Sequence, residues 1–169
     1  MNITIKTLTT EPEIAEFWAK KAEYNHRDLY PNMELEAEET LEEIMDYFEG
    51  EEYREAIMTM HRERGGQFAF FYLENAYLGF ALYKVYTPAY DKNYLGEAML
   101  MEFCIEPAFR NLGLGALAFQ ALEHRFQKES GTYTAINTSN QDNLRFWKRQ
   151  GFSEWKQDEW GNTVYRKDI

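Results

Sequence analysis

The stretch Glu102-Phe103-Cys104-Ile105-Glu106-Pro107-Ala108-Phe109-Arg110-Asn111-Leu112-Gly113-Leu114-Gly115-Ala116 joins three features: an apolar run that reads as a strand, a short Pro-containing connection, and two glycines where a helical pattern begins. Glycine lets the backbone take unusual angles and lets a ligand approach closely. The first N–H groups of a helix have no partner of their own, and the helix dipole favours negative charge there. Strand, Gly-x-Gly and helix therefore describe a pyrophosphate cradle, although a plain tight turn uses the same glycines. Two nucleotide motifs compete for the stretch and fail on context. Gly113-x-Gly115-x-x-Ala118 fits the dinucleotide fingerprint, but Pro107 to Arg110 intervenes and the next strand ends in Ile136-Asn137-Thr138, with no acid to hold a ribose. No Gly-Lys-Ser/Thr occurs, so the Walker pattern is absent.

Outward from this stretch, the pattern switches between a period of two and a helical period. Asn2 to Leu8 alternates like a half-buried strand, and Thr10-Glu11-Pro12-Glu13 is a capping box that opens a helix to about Asn25. Thr40-Leu41-Glu42-Glu43 opens a second helix, and Tyr53, Ile57 and Met60 continue a helical pattern until Gly65-Gly66. Gln67 to Leu73 and Tyr77 to Tyr86 read as a hairpin, and Thr87 to Gly96 as a loop. Ala98 to Glu106 is a strand, Gly115 to Glu129 a helix, Thr132 to Asn137 a short strand, and Asn143 to Gln150 a short helix stopped by Gly151. Phe152 to Asp158 and Thr163 to Lys167 close the chain as a hairpin. The resulting order, β-α-α-β-β-β-α-β-α-β-β, predicts a mixed α/β domain around one sheet.

Composition bounds what such a domain does. With 169 residues, 44% of them apolar and 17% aromatic, residues 1–169 read as one packed domain. The short apolar runs and the N-terminus of Met-Asn-Ile-Thr-Ile-Lys suggest neither a membrane span nor a signal peptide, so a cytoplasmic protein is expected. A single cysteine, Cys104, leaves no internal disulfide or cysteine-cluster metal site, and no metal is expected. Net charge is −11 and unevenly distributed: residues 1–95 carry 9 Lys/Arg against 19 Asp/Glu, while residues 96–169 carry 9 against 10. Between Glu34 and Glu55 stand 11 acids and one base, a field that repels nucleic acid and attracts cations, or a solvated helix face that keeps the chain soluble.

Arg110-x-x-Gly113-x-Gly115-Ala116, preceded by Ile105-Glu106-Pro107, resembles the (Arg/Gln)-x-x-Gly-x-(Gly/Ala) motif of the GNAT acetyltransferase superfamily. Asn140-x-x-Asn143-x-x-Phe146-Trp147-x-x-x-Gly151-Phe152 resembles that family's second motif, Asn-x-x-Ala-x-x-Phe-Tyr followed by Gly-Phe. The element order matches along essentially the whole chain. The resemblance implies a GNAT-like acyl-CoA N-acyltransferase fold: a largely antiparallel sheet splayed at two parallel strands, here Ala98–Glu106 and Thr132–Asn137, whose V receives acetyl-CoA.

The resemblance also implies roles. Backbone groups of Cys104 and Ile105 would pair with the pantetheine arm, and the amides of Arg110, Asn111, Leu112, Gly113, Leu114, Gly115 and Ala116 would bind the pyrophosphate. Asn140, with Asn143 and Trp147 of the same motif, would border the coenzyme from the opposite side, and Arg145, Lys148 and Arg149 could neutralise the adenosine-side phosphates. The reaction implied is direct transfer of acetyl to a primary amine in a ternary complex, so the amine must lose a proton. Glu102 is the candidate base. Two residues depart from the pattern: Trp147 stands where the family often has a thiolate-protonating Tyr, a role left to Tyr133, another tyrosine or water, and Asn143 replaces the usual Ala. Cys104 has no evident base partner among His26, His61 and His124 and reads as a core residue rather than a nucleophile.

The acceptor would lie over the N-terminal helices and the Thr87–Gly96 loop, where the negative charge sits, so a cationic acceptor is expected: a polyamine, an aminoglycoside-like amine or a basic peptide terminus. The alternative is a non-catalytic CoA-binding sensor or interaction domain. Neither nucleic acid nor membrane is an expected partner, and the aromatic strands and terminal hairpin could support a homodimer.

Overall fold

The computed structural model describes residues 2–93, 95–138 and 140–169. Its strands are β1 (Ile3–Leu8), β2 (Gly66–Leu73), β3 (Ala76–Val85), β4 (Glu97–Ile105), β5 (Tyr133–Asn137), β6 (Ser153–Gln157) and β7 (Thr163–Asp168). They form one seven-stranded sheet in the order β1-β2-β3-β4-β5-β7-β6. Only β4 and β5 run parallel; every other neighbouring pair is antiparallel. The helices are α1 (Glu11–Tyr24), α2 (Leu41–Glu49), α3 (Glu51–Glu63), α4 (Leu114–Lys128) and α5 (Gln141–Arg149). This is the α/β domain around one sheet that the order of patterns predicts, with the largely antiparallel arrangement that the resemblance implies.

Both capping boxes form. The side chain of Thr10 accepts from the Glu13 amide while Glu13 reaches back, and Thr40 and Glu43 do the same at α2. The break between α2 and α3 differs from the sequence reading. The helical pattern running toward Gly65 is interrupted at Gly50, an extended residue (φ −80°, ψ 161°) that ends α2 and starts α3. A Cβ there would lie 2.8 Å from the Asp46 carbonyl oxygen, so the corner favours glycine.

The sheet is covered on both faces, which is why β2 reads as a nearly continuous apolar run rather than an alternating one. Side chains of successive residues point to opposite faces. Ala69, Phe71, Ala81 and Tyr83 pack with Ala118, Phe119, Leu122 and Phe126 of α4. Phe68, Phe70, Phe80 and Leu82 pack with Ile14 and Phe17 of α1.

The alternation breaks in β4. Its register with β3 slips between Leu82 and Tyr83, which face Glu102 and Leu100, so Met101 is an extra residue in a β-bulge. Met101 packs on the α1-side cluster, and the next residue, Glu102, pairs with Lys21 of α1. Two successive side chains thus share one face. That bulge decides where Glu102 points.

Candidate active site

β4 and β5 pair only at Glu97/Tyr133, Ala98/Thr134 and Met99/Ala135. Beyond Met99, β4 stays with β3 and β5 with β7, so the two parallel strands part and leave one edge of β4 open. The bond from the Glu106 amide to the Leu78 carbonyl (2.7 Å) sets the phase of the β3–β4 ladder. By alternation, Cys104 turns its main-chain groups toward β3; its carbonyl oxygen would sit 1.9 Å from a Cβ on Gly79. Phe103 and Ile105 turn theirs to the open edge. Of the two residues named for the arm, Ile105 therefore faces the V, and the backbone of Cys104 is engaged with β3. The Ile105 carbonyl accepts from Nε of Arg110 at 2.7 Å, which leaves the Ile105 N–H and the main chain of Phe103 on that edge.

The glycine loop lies where β4 ends. Asn111 and Gly113 are both left-handed (φ 60° and 77°), and α4 starts after Gly113 with no side-chain cap. Among the described residues, no hydrogen bond reaches the amides of Leu112, Gly113, Leu114, Gly115 or Ala116. A Cβ on Gly113 would meet nothing within 4 Å, so the space in front of these donors is open. Gly115 is different: a Cβ there would press on Phe146 at 3.3 Å, so this glycine lets α5 pack against α4. Five unpartnered amides at the start of a 15-residue helix suit a polyanion such as a pyrophosphate.

A cavity of about 400 Å³ fills the V, with β4 residues Leu100 to Phe103 on one side and Ile136, Asn137, Asn140 and Asn143 on the other. Asn140 is the N-cap of α5, and its Oδ1 accepts from the amides of Asp142 (2.9 Å) and Asn143 (3.0 Å). Trp147 touches the cavity but is 7% exposed, with ring centroids 4.9–5.3 Å from Phe103, Phe119, Phe146 and Phe152. It is a packing residue. On α5, Arg145 pairs with Asp142, while Lys148 and Arg149 are exposed.

Glu102 lies in the cavity wall with Oε1 3.1 Å from Nζ of Lys21. The Lys21 ammonium also donates to Oδ1 of Asn25 (3.2 Å) and sits 5.7 and 5.6 Å from the ring centres of Phe48 and Tyr53. Among the described residues no donor reaches Oε2 of Glu102.

Tyr133 is not in this cavity. It stands at the paired start of β5, against Trp155 and beneath Arg166. Among the described residues, the tyrosine that lines the V is Tyr24, from the last turn of α1. Burial, and next the charge of Glu102, push its pKa upward, so the phenol keeps its proton. Burial also pushes the Cys104 thiol up to about 12, which fits a core residue rather than a nucleophile. Tyr24, Lys21 and Asp28 were not singled out by the sequence reading. The available signal was the buried stripe of α1, which runs from Ile14 and Phe17 into Lys21 and Asn25: an apolar face that turns polar as it nears the site.

A second cavity, about 490 Å³, adjoins the first; Met33 and Phe48 line both, and Glu34, Glu39 and Glu43 line the second. Among the described residues, no group of three or more His, Cys, Asp or Glu could hold a metal ion, and no helix is long and apolar enough to cross a membrane.

The architecture recurs among solved structures of low sequence identity. The N-acetyltransferase PaiA of Thermoplasma acidophilum, solved with coenzyme A, superposes with a TM-score of 0.66 at 16% identity over 100% of both chains. Tetrahymena GCN5 gives 0.66 at 15% identity over 100% of this chain and 96% of that one. The ribosomal-protein-S18-alanine N-acetyltransferase of Escherichia coli gives 0.55 at 16% identity over 99% and 94%. No curated protein sequence matches the chain. Residues 18–152, however, match the Acetyltransferase (GNAT) family, so the chain belongs to that family and is an acetyl-CoA-dependent N-acetyltransferase.

Proposed function

We propose that the acceptor is a primary amine on a molecule carrying a further cationic centre, such as a polyamine, an aminoglycoside-like amine or a basic peptide terminus. The observation that carries this reading is the pair of adjoining cavities. The first holds the open edge of β4, and the second is lined by Glu34, Glu39 and Glu43. Further carboxylates crowded round the reacting nitrogen, beyond the one that takes its proton, would stabilise its ammonium form and oppose attack. Acids one cavity away can instead hold a distal cation and leave the reacting nitrogen free.

In this reading acetyl-CoA supplies the acetyl group as a thioester, bound by its pyrophosphate to the amides of Leu112–Ala116 and by its arm along Phe103 and Ile105. Lys21 fixes the Glu102 carboxylate through Oε1. Oε2 takes the proton lost by the attacking amine, directly or through a water. As the carbon–sulfur bond breaks, the Tyr24 hydroxyl donates to the departing sulfur. Holding the reactants in one geometry supplies much of the acceleration.

The test is free thiol released from acetyl-CoA across a panel of amines. Diamines and polyamines should turn over with kcat/KM at least about tenfold above monoamines of equal length, one tenfold step being about 1.4 kcal/mol. Replacing Glu39, Glu42 and Glu43 by Gln should raise the KM for such acceptors at low salt and change little at high salt. Equal rates for mono- and diamines, or a KM indifferent to these substitutions, contradict the cationic acceptor. CoA binding with no thiol release from any amine contradicts transfer to amines altogether.

A further inference from the structure

The chain leaves α1 through a π-helical turn, Asn25–Leu29, a rare widened turn that tends to occur at functional sites. Asp28 sits in it. Its Oδ2 accepts from Nε (2.9 Å) and Nη2 (2.8 Å) of Arg27, and from Nη2 of Arg110 (2.7 Å); its Oδ1 accepts from Nη1 of Arg110 at 3.3 Å. Arg27 also donates to Glu106 at 3.0 Å, and Nε of Arg110 to the Ile105 carbonyl at 2.7 Å. Burial alone would raise the Asp28 pKa, but the bonds from Arg110 and Arg27 outweigh it and hold the carboxyl below its ordinary value.

One carboxylate thus ties together two walls of the site. Asp28, Leu29, Asn32 and Met33 line the cavity on the α1 side. Arg110 opens the loop that carries the unpartnered amides. Asn111 and Gly113 in that loop hold left-handed angles, a conformation that a non-glycine residue such as Asn111 adopts only against a steric cost. The Arg110 amide bonds the Pro107 carbonyl at 3.2 Å, and among the described residues the amides from Asn111 to Ala116 have no such bond. The loop therefore depends on its first residue, and the forked guanidinium is what fixes that residue to the rest of the fold.

We propose that Asp28 is a positioning residue for the coenzyme: by clamping Arg110 it holds the amide loop in the shape that receives CoA, and it couples that loop to the acceptor-side turn. The inference rests on the amide loop being the CoA site, and the closing experiment separates the two ideas. CoA binding is measured by calorimetry on the full chain for Asp28→Asn, Arg110→Met, the double variant, Arg110→Lys and Gly113→Ala, with melting temperatures alongside. Asp28→Asn and Arg110→Met should each weaken CoA on the order of tenfold, and the double variant by much less than the product of the two, because the clamp is the interaction they share. Arg110→Lys keeps the charge, loses the fork, and should weaken CoA similarly. CoA bound by Asp28→Asn as by the parent, with only a lower melting temperature, would reduce the clamp to a stability contact and overturn the proposal. So would a double variant showing the product of both losses. Unchanged binding in Gly113→Ala would instead overturn the placement of CoA on this loop.

Discussion

Nζ of Lys21 lies 3.1 Å from Oε1 of Glu102, and the two side chains differ sharply in exposure, 2% against 17%. The pair is therefore asymmetric. Removing one partner of a buried ion pair leaves the other charge uncompensated, typically at about 3–5 kcal/mol. Glu102→Gln strands an ammonium that water barely reaches, so we expect a loss near the lower end, about 3 kcal/mol. Lys21→Met keeps the aliphatic stem and leaves a carboxylate facing a wet cavity, so its cost should be about 1 kcal/mol. Urea unfolding of both variants at pH 7 checks the order; a larger loss in Lys21→Met would contradict it.

Gly113→Ala separates stability from binding. With φ at 77° and nothing within 4 Å of a Cβ, the substitution meets backbone strain without a clash and should cost about 1 kcal/mol. The new methyl would stand in front of the open amides, so CoA affinity should fall by more than that loss of stability explains. A variant that is less stable yet binds CoA normally would show that ligand does not approach this backbone.

Much of this was legible because it is local. The capping boxes at Thr10/Glu13 and Thr40/Glu43 satisfy orphan amides within one turn, so spacing alone reveals them. Gly113 and Gly115 mark the loop for the same reason. What stayed hidden depends on distant partners. The bulge at Met101, visible only in the β3–β4 register, puts Glu102 against α1. The π-turn has no sequence signature, and its residues Asp28 and Arg27 pair with Arg110 and Glu106, 82 and 79 residues away. Trp147, which stands where the second motif often has a tyrosine, turns out to fill an aromatic cluster beside the cavity, and Tyr24 from α1 also lines that cavity.

Cys104 should be inert while the protein is folded. Its side chain is buried and its pKa is pushed up to about 12, by burial first and the charge of Glu106 next. At pH 8 the thiolate fraction is then roughly one in ten thousand, against about a quarter for an ordinary thiol. Iodoacetamide should label the chain in urea and leave it untouched in buffer; rapid stoichiometric labelling of native protein would contradict this.

Acid should weaken the cap of α1. The Thr10 amide and then the Lys6 ammonium hold the Glu13 carboxyl down to about 2, from an ordinary 4.5. A carboxyl lowered in the folded state stabilises above its unfolded value, and that stabilisation is lost as pH falls through the folded one. The melting temperature of the parent should exceed that of Glu13→Gln at pH 7, and the gap should shrink between about 4.5 and 2. A gap that is constant over this range would show that the charge of Glu13 has no part in the cap.

The most direct test is a titration of isotopically labelled protein with CoA, following the backbone amides by NMR. If donors at the start of α4 grip the pyrophosphate, the signals of Leu112, Gly113, Leu114, Gly115 and Ala116 shift together and saturate with the calorimetric affinity, with Phe103 and Ile105 of β4 following. Saturable CoA binding that moves other amides and leaves these seven in place would contradict the account.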